Sequence, residues 1–162
     1  MNAVEACALL LDRGADLGAG DKGGQTPLHR AAASNKLEAC TLLLDRGADL
    51  GARDKGGQTP LHRAAASNKL EACALLLDRG GDLGARKNKR YTPLHWAAAL
   101  NRLEACALLL DRGADPRAVD KRGKTPAEQP RAKKATRALF LSWRSTRRSR
   151  RRSSSSDCIN LC

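Results

Sequence analysis

The sequence predicts an all-α solenoid, a row of helix–turn–helix units joined by hairpin loops and followed by a basic tail. Three observations carry this. Residues 21–53 and 54–86 are near copies that match at 31 of 33 positions, differing only at Thr41 against Ala74 and Ala48 against Gly81. Residues 87–119 are a third copy that keeps 21 of the 33 positions of the middle one. Aromatics make up only 2% of the chain, so a core must be built from Leu, Ala and Cys. A stacked array can use such small residues, because each unit buries its face against a neighbour and not around a globular centre. Self-similarity at a fixed period decides the architecture before any local reading does.

Residues 2–20 align with 35–53 at 15 of 19 positions. They read as the second helix of a unit whose first helix is missing, so 1–20 form a half unit with one apolar helix face and no neighbour for it. Natural arrays protect that end with a polar cap, and Ala3, Val4, Ala6, Cys7, Leu10 and Leu11 do not make one. The half unit therefore reads as the remainder of a longer array, the alternative being a first helix that frays.

In the middle unit Thr59-Pro60 starts a first helix over LHRAAAS. Thr caps the free N–H groups, and Pro is tolerated at the first position because its missing N–H would be unpaired there anyway. Asn68 marks a left-handed turn, which Asn accepts better than most residues. The second helix reads KLEACALLLD, with Leu70, Cys73, Leu76 and Leu77 facing the stack. Gly80 suits the left-handed position that ends it.

The period of 33 with TPLH at 26–29, 59–62 and 92–95 resembles the ankyrin repeat, over a span from Asn2 to about Ala127. The resemblance implies a stack with a concave face made of loop tips and first helices. It also implies that His29, His62 and His95 are structural, each bonded to the Thr three residues before it. The family pattern carries larger aliphatics where this chain has Ala72 and Cys73, and Asn where it has Gly84. Each missing buried methylene forgoes about 0.8 kcal/mol, so a stability below that of a consensus array is expected.

Residues 120–144 begin a fourth unit that soon departs. Ala127 and Glu128 replace Leu-His, and Pro130 falls where the first helix should continue, at a cost of about 3 kcal/mol to a helix interior. The segment RAKKATRALFLSWR can form a new helix with Ala135, Leu139 and Trp143 on one stripe. It reads as a cap on the third unit, or alternatively as a basic amphipathic helix for a membrane surface or a groove. Residues 145–162 are Arg- and Ser-rich, with too few apolar groups to offset the entropy of ordering.

The net charge of +13 is uneven. Residues 1–119 hold 17 Lys/Arg against 14 Asp/Glu, and residues 120–162 hold 13 against 3. The basic character belongs to the second segment, where Arg147, Arg148, Arg150, Arg151 and Arg152 cluster. Such a cluster binds phosphates non-specifically or is read by a nuclear import receptor, and Ser149 and Ser153 beside it are open to basophilic kinases. The plain alternative is an inert solvated tail. No secretory signal is recognisable, and no stretch approaches the roughly 18 apolar residues of a membrane helix. An intracellular protein, cytoplasmic or nuclear, is expected.

Cys7, Cys40, Cys73 and Cys106 recur once per unit at one helical position. Stacked helices lie about 8–10 Å apart, and Cα atoms beyond about 7 Å cannot be bridged without moving backbone. These cysteines read as small buried side chains in a reducing compartment. Cys158 and Cys162 do not form a prenylation box, because the fourth position from the end is Ile159.

No nucleophile–base pair, phosphate loop or convergent metal ligands are recognisable, so no catalytic residue, metal, cofactor or small-molecule substrate is assigned. Binding to another protein is the function the pattern points to. The family's contact positions fall on Lys22, Gly23, Gln25, Ala33, Ser34 and Arg53, then on Lys55, Gly56, Gln58, Ala66, Ser67 and Arg86. In the third unit they fall on Asn88, Lys89, Tyr91, Ala99, Leu100 and Val119. The first two sets are identical, so neither unit has been individually shaped. The third differs: Tyr91 replaces Gln58, Trp96 replaces Arg63, Leu100 replaces Ser67, and the basic KNKRY, including Arg90, replaces DKGGQ. Aromatic groups beside cations form the kind of anchor that dominates interfaces. Against this stands the plain alternative that Trp96 and Leu100 only pack on the fourth unit.

Overall fold

The computed structural model describes residues 3–143 and Ser145. Among these are eight α-helices and no strand: α1 (Ala3–Asp12), α2 (Pro27–Ala33), α3 (Leu37–Asp45), α4 (Pro60–Ala66), α5 (Leu70–Asp78), α6 (Pro93–Ala99), α7 (Leu103–Asp111) and α8 (134–143). Two rows result. Helices α2, α4 and α6 pack in succession, ending on a single 3₁₀ turn at Pro126–Glu128, while α1, α3, α5 and α7 pack beside them.

The short inner helices are started by the Thr-Pro-Leu-His motif. In the middle unit the Thr59 amide donates to Nδ1 of His62 at 3.3 Å, and the Thr59 hydroxyl lies 2.9 Å from the same nitrogen. With Nδ1 accepting, the proton sits on Nε2, which donates to the Tyr91 carbonyl of the next unit at 3.0 Å. His29 reaches the Gln58 carbonyl at 2.8 Å and His95 the Lys124 carbonyl at 3.1 Å in the same way. Each imidazole is fully buried and ties one unit to the next.

Asn35, Asn68 and Asn101 end the inner turns with φ near +57°, +55° and +57°. Left-handed tolerance is only half of the reason for Asn. The Asn68 side-chain oxygen accepts from the Ala105 amide at 3.2 Å and its nitrogen donates to Glu104 at 3.0 Å, capping α7 from one unit away. Asn35 does the same for α5 through Ala72 and Glu71. Asn68→Gly keeps the turn but loses the cap and should cost about 1 kcal/mol. Asn68→Ala also strains the left-handed backbone and should cost roughly 2–3 kcal/mol. Urea titrations order the two, and a glycine variant as stable as the parent would show that the cross-unit cap contributes nothing.

The outer helices bury Ala72, Cys73 and Leu76 completely, with Leu70 and Leu77 half-buried at the edge of the same face. Gly14, Gly47, Gly80 and Gly113 then turn the chain with φ between +85° and +96°. Four cysteines, Cys7, Cys40, Cys73 and Cys106, are free, the last three buried. Burial pushes the thiol of Cys40 up to about 11 and those of Cys73 and Cys106 to about 12, so they stay protonated and act as small apolar side chains.

The fourth unit departs as its sequence requires. Its inner helix is one 3₁₀ turn, because Gln129 precedes Pro130 and is held extended at φ −60°, ψ 136°. On α8 the expected stripe is corrected. Ala135 is exposed, while Thr136 and Phe140 are buried, with Leu139 and Trp143 half-buried beside them. Phe140 joins the core formed by the preceding units. The stripe turns inward at Thr136 because its hydroxyl, together with the Lys133 amide, reaches Asn101 Oδ1 at 3.2 and 2.6 Å. No helix among the described residues is long and apolar enough to cross a membrane.

Candidate functional site

The loop ahead of each inner helix doubles back over five residues. In the middle unit this is Asp54–Gln58, closed by Asp54 N to Gln58 O at 3.0 Å and Gly57 N to Asp54 O at 2.8 Å. The Asp54 carboxylate braces the turn from inside, accepting from the amides of Gly56 and Gln58 at 2.8 and 2.9 Å and from Arg63 at 2.7 Å. Burial alone would raise the Asp54 carboxyl, but the bonds from Gln58, Arg63 and Gly56 outweigh it and hold it below its ordinary value.

In the third unit both members of that ion pair are replaced. Lys87 stands where Asp54 stands and Trp96 where Arg63 stands. The Lys87 ammonium lies 3.2 Å from the centre of the Trp96 ring and 5.6 Å from that of Tyr91. A cation over an electron-rich ring is attracted by about 0.5–2 kcal/mol. Tyr91 in turn stacks on His95, with ring centres 5.6 Å apart and 11° between planes, and meets Trp96 at 6.2 Å. Burial pushes the Lys87 amine down to about 8, with Asp54 of the preceding unit acting in the opposite direction. Lacking the carboxylate brace, the loop Asn88–Arg90 places two consecutive side-chain-bearing residues in the left-handed region, Lys89 at φ +68° and Arg90 at φ +60°. The Arg90 position is glycine in the other three loops: Gly24, Gly57 and Gly123.

The structure therefore gathers Tyr91 and Trp96 into one cluster with Lys87, and leaves Asn88, Lys89 and Arg90 exposed at its edge. Leu100 follows α6 directly, half-buried, its amide bonded to the Trp96 carbonyl at 3.1 Å. Lys55 is exposed, and Gln58 and Ser67 are half-buried, all one unit away. Among the described residues no hydrogen bond or ion pair joins their side chains to the cluster. Gln58 contributes its carbonyl to His29, while its buried side-chain oxygen has no partner. Arg147, Arg148, Arg150, Arg151 and Arg152 lie outside the described residues.

Lys87 is the residue that motif reading passed over. Its signal was available in the paired change of two positions nine apart, Asp-to-Lys and Arg-to-Trp, within otherwise similar copies. Elsewhere on the surface, two shallow clefts lie one unit apart, one lined by Arg53, Thr59 and Asp82 and the other by Arg86, Thr92 and Asp115. Their equivalence makes them features of the scaffold. No group of three metal-ligating side chains occurs among the described residues.

A row of paired helices whose neighbours are joined by repeated bonds, and whose distinguishing residues lie on loops and first helices, defines a helical repeat scaffold. Family models agree: residues 51–120 match ankyrin repeats (3 copies) and residues 10–64 match ankyrin repeats (many copies). The chain belongs to the ankyrin-repeat family. Ankyrin repeats are in general protein–protein interaction modules and are typically non-catalytic. No curated protein matches the chain.

Proposed function

We propose that the chain is a non-catalytic module that binds another protein on the face formed by the loops and inner helices, with Tyr91, Trp96 and Leu100 as its anchor. The observation that carries this is where the third unit varies. It keeps the buried Leu94, His95, Ala97, Cys106 and Leu109 of the common scaffold, and among its changes Tyr91, Trp96 and Leu100 fall at loop and inner-helix positions that remain partly accessible. New aromatic and apolar side chains left accessible beside cations, on a unit that keeps these core residues, are the kind of group that anchors an interface. Tyr91→Ala combined with Leu100→Ala should weaken a partner captured by the parent chain by at least about tenfold, or 1.4 kcal/mol. Unchanged affinity with intact helical circular dichroism would remove the anchor.

The excess of ten positive charges in residues 120–162 supports a second reading, a nuclear or nucleic-acid-associated adaptor that uses the Arg cluster. Capture repeated at low and high salt separates the two. Binding driven by the Arg cluster falls steeply with salt, whereas a partner held by the aromatic anchor persists.

A further inference from the structure

Two pairs of neighbouring loop tips are joined through backbone. The Lys55 amide donates to Gly23 O at 2.9 Å, joining the first tip to the second, and the Lys121 amide donates to Lys89 O at 3.0 Å, joining the third to the fourth. The formal charge of the tips is misleading, because their three carboxylates are engaged by their own loops. Asp21 accepts from the Gly23 and Gln25 amides at 2.8 and 3.0 Å, and Asp120 accepts from Arg122 and Lys124 at 2.7 and 3.0 Å. Asp54 is held likewise and is 5% exposed, as Asp120 is 4% exposed. Glu128, the other acid of residues 120–144, is bonded to the Thr125 amide and hydroxyl at 3.0 and 2.9 Å.

The cations are presented in the opposite sense. Lys55, Lys89, Arg90, Lys121, Arg122 and Lys124 are all exposed. Five of the six stand on the two adjoining tips of the third and fourth units. None of these six makes an ion pair among the described residues, nor does Lys87 behind them. Residues 1–119 carry a near-balance of charge overall, yet on the rim made by the tips of the third and fourth units the one carboxylate, Asp120, is buried and the cations face the solvent.

We propose that the tips Lys89–Arg90 and Lys121–Lys124, backed by the Lys87–Tyr91–Trp96 cluster, dock an acidic segment of the partner protein. The inference rests on the binding-module reading and names the chemistry of its partner. Carboxylates on an extended segment would complement the exposed rim, and Lys87 would gain a direct ion-pair partner in addition to the more distant Asp54. A polypeptide fits better than a nucleic acid. Nucleic-acid grooves use free aromatic faces on which bases stack, and here one face of Trp96 carries Lys87 while Tyr91 is stacked on His95.

The test uses the full chain at about 0.15 M salt, where charges more than about 8 Å apart are largely screened. The probes are a labelled peptide of Glu-Asp-Leu repeats, its Gln-Asn-Leu counterpart, and a single-stranded oligonucleotide of equal charge. The parent should bind the acidic peptide and ignore the amide one. Lys89→Glu with Arg90→Glu, at two exposed sites, should weaken the acidic peptide about tenfold or more, and intact circular dichroism would show the fold retained. Replacing Arg147, Arg148, Arg150, Arg151 and Arg152 with Ser should change its affinity less than about threefold. The proposal is overturned if the parent does not bind the acidic peptide, or if the Ser replacements abolish binding that the rim variant keeps. It is also overturned if the oligonucleotide binds as tightly with the same sensitivity to the rim. A captured partner lost with Tyr91→Ala/Leu100→Ala but indifferent to the rim variant would leave the binding face standing and remove its acidic class.

Discussion

Lowering the pH from 7 to 4 should remove roughly 3 kcal/mol of stability through His62 alone. Burial pulls this imidazole down from 6.5 to about 4; the cations of Lys87 and Arg53 add to that, while the Tyr91 carbonyl and Asp54 oppose it. The folded state therefore holds His62 neutral, and the unfolded chain takes up the proton first. The contribution is complete above about pH 6.5 and is lost progressively as the pH falls toward 4. His95, also lowered chiefly by burial, acts in the same direction. The braced carboxylates act in the same direction at the lower edge of this window. Asp54 and Asp120, held below 3.8, and Glu104 and Glu128, held below 4.5, lose their contribution as the unfolded chain protonates below about pH 5, so the loss between pH 7 and 5 reports the imidazoles. Urea midpoints followed by circular dichroism at several pH values read the effect. A midpoint unchanged between pH 7 and 4.5 would mean that the imidazoles are not neutral cross-unit donors.

Leu76→Ala should cost about 3–5 kcal/mol, whereas the same substitution at its counterpart Leu10 should change stability by less than about 0.5 kcal/mol. The two leucines sit in near-identical helices. Leu76 is fully buried in the middle of the array and Leu10 is 62% exposed in the half unit. The difference lies wholly in the neighbour: α5 packs on α4, α3 and α7, while α1 packs on α3. Thermal or urea unfolding of the pair measures how much of an outer helix's stability comes from the inner helix in front of it. Equal losses would contradict the burial pattern.

Most of the fold was legible because the repeat states each local rule several times. Thr-Pro starts, Asn turns, Gly ends and Leu spacing recur at one period, so a misreading in one copy is corrected by the next. The fourth unit occurs once, and there the reading slipped. A helical stripe drawn through Ala135 ignored Thr136, whose inward turn depends on a bond to Asn101 from another unit. The candidate site shows the same division. The substitutions Tyr91, Trp96 and Leu100 stand out by comparison with their copies, but the grip of Lys87 on Trp96 needs the distance between two loop and helix positions. Likewise the acids and bases of the tips are at parity in two of the four loops. Only the burial of Asp54 and Asp120, braced by loop amides, reveals that at their tips the acid is hidden and the cations are displayed.

The junction between residues 21–53 and 54–86 is made by His29, Asn35, Asp45, Gly23 and their partners Gln58, Glu71, Ala72, Arg79 and Lys55. Residues 54–86 carry both halves of that set, since His62, Asn68, Asp78 and Gly56 occupy the places of the first four. A further copy of residues 54–86 spliced after itself would thus meet its template through a junction the protein already contains. Length can change in steps of one unit through unequal recombination without selection having to invent a new seam, while the residues from 87 onward keep their place at the growing end.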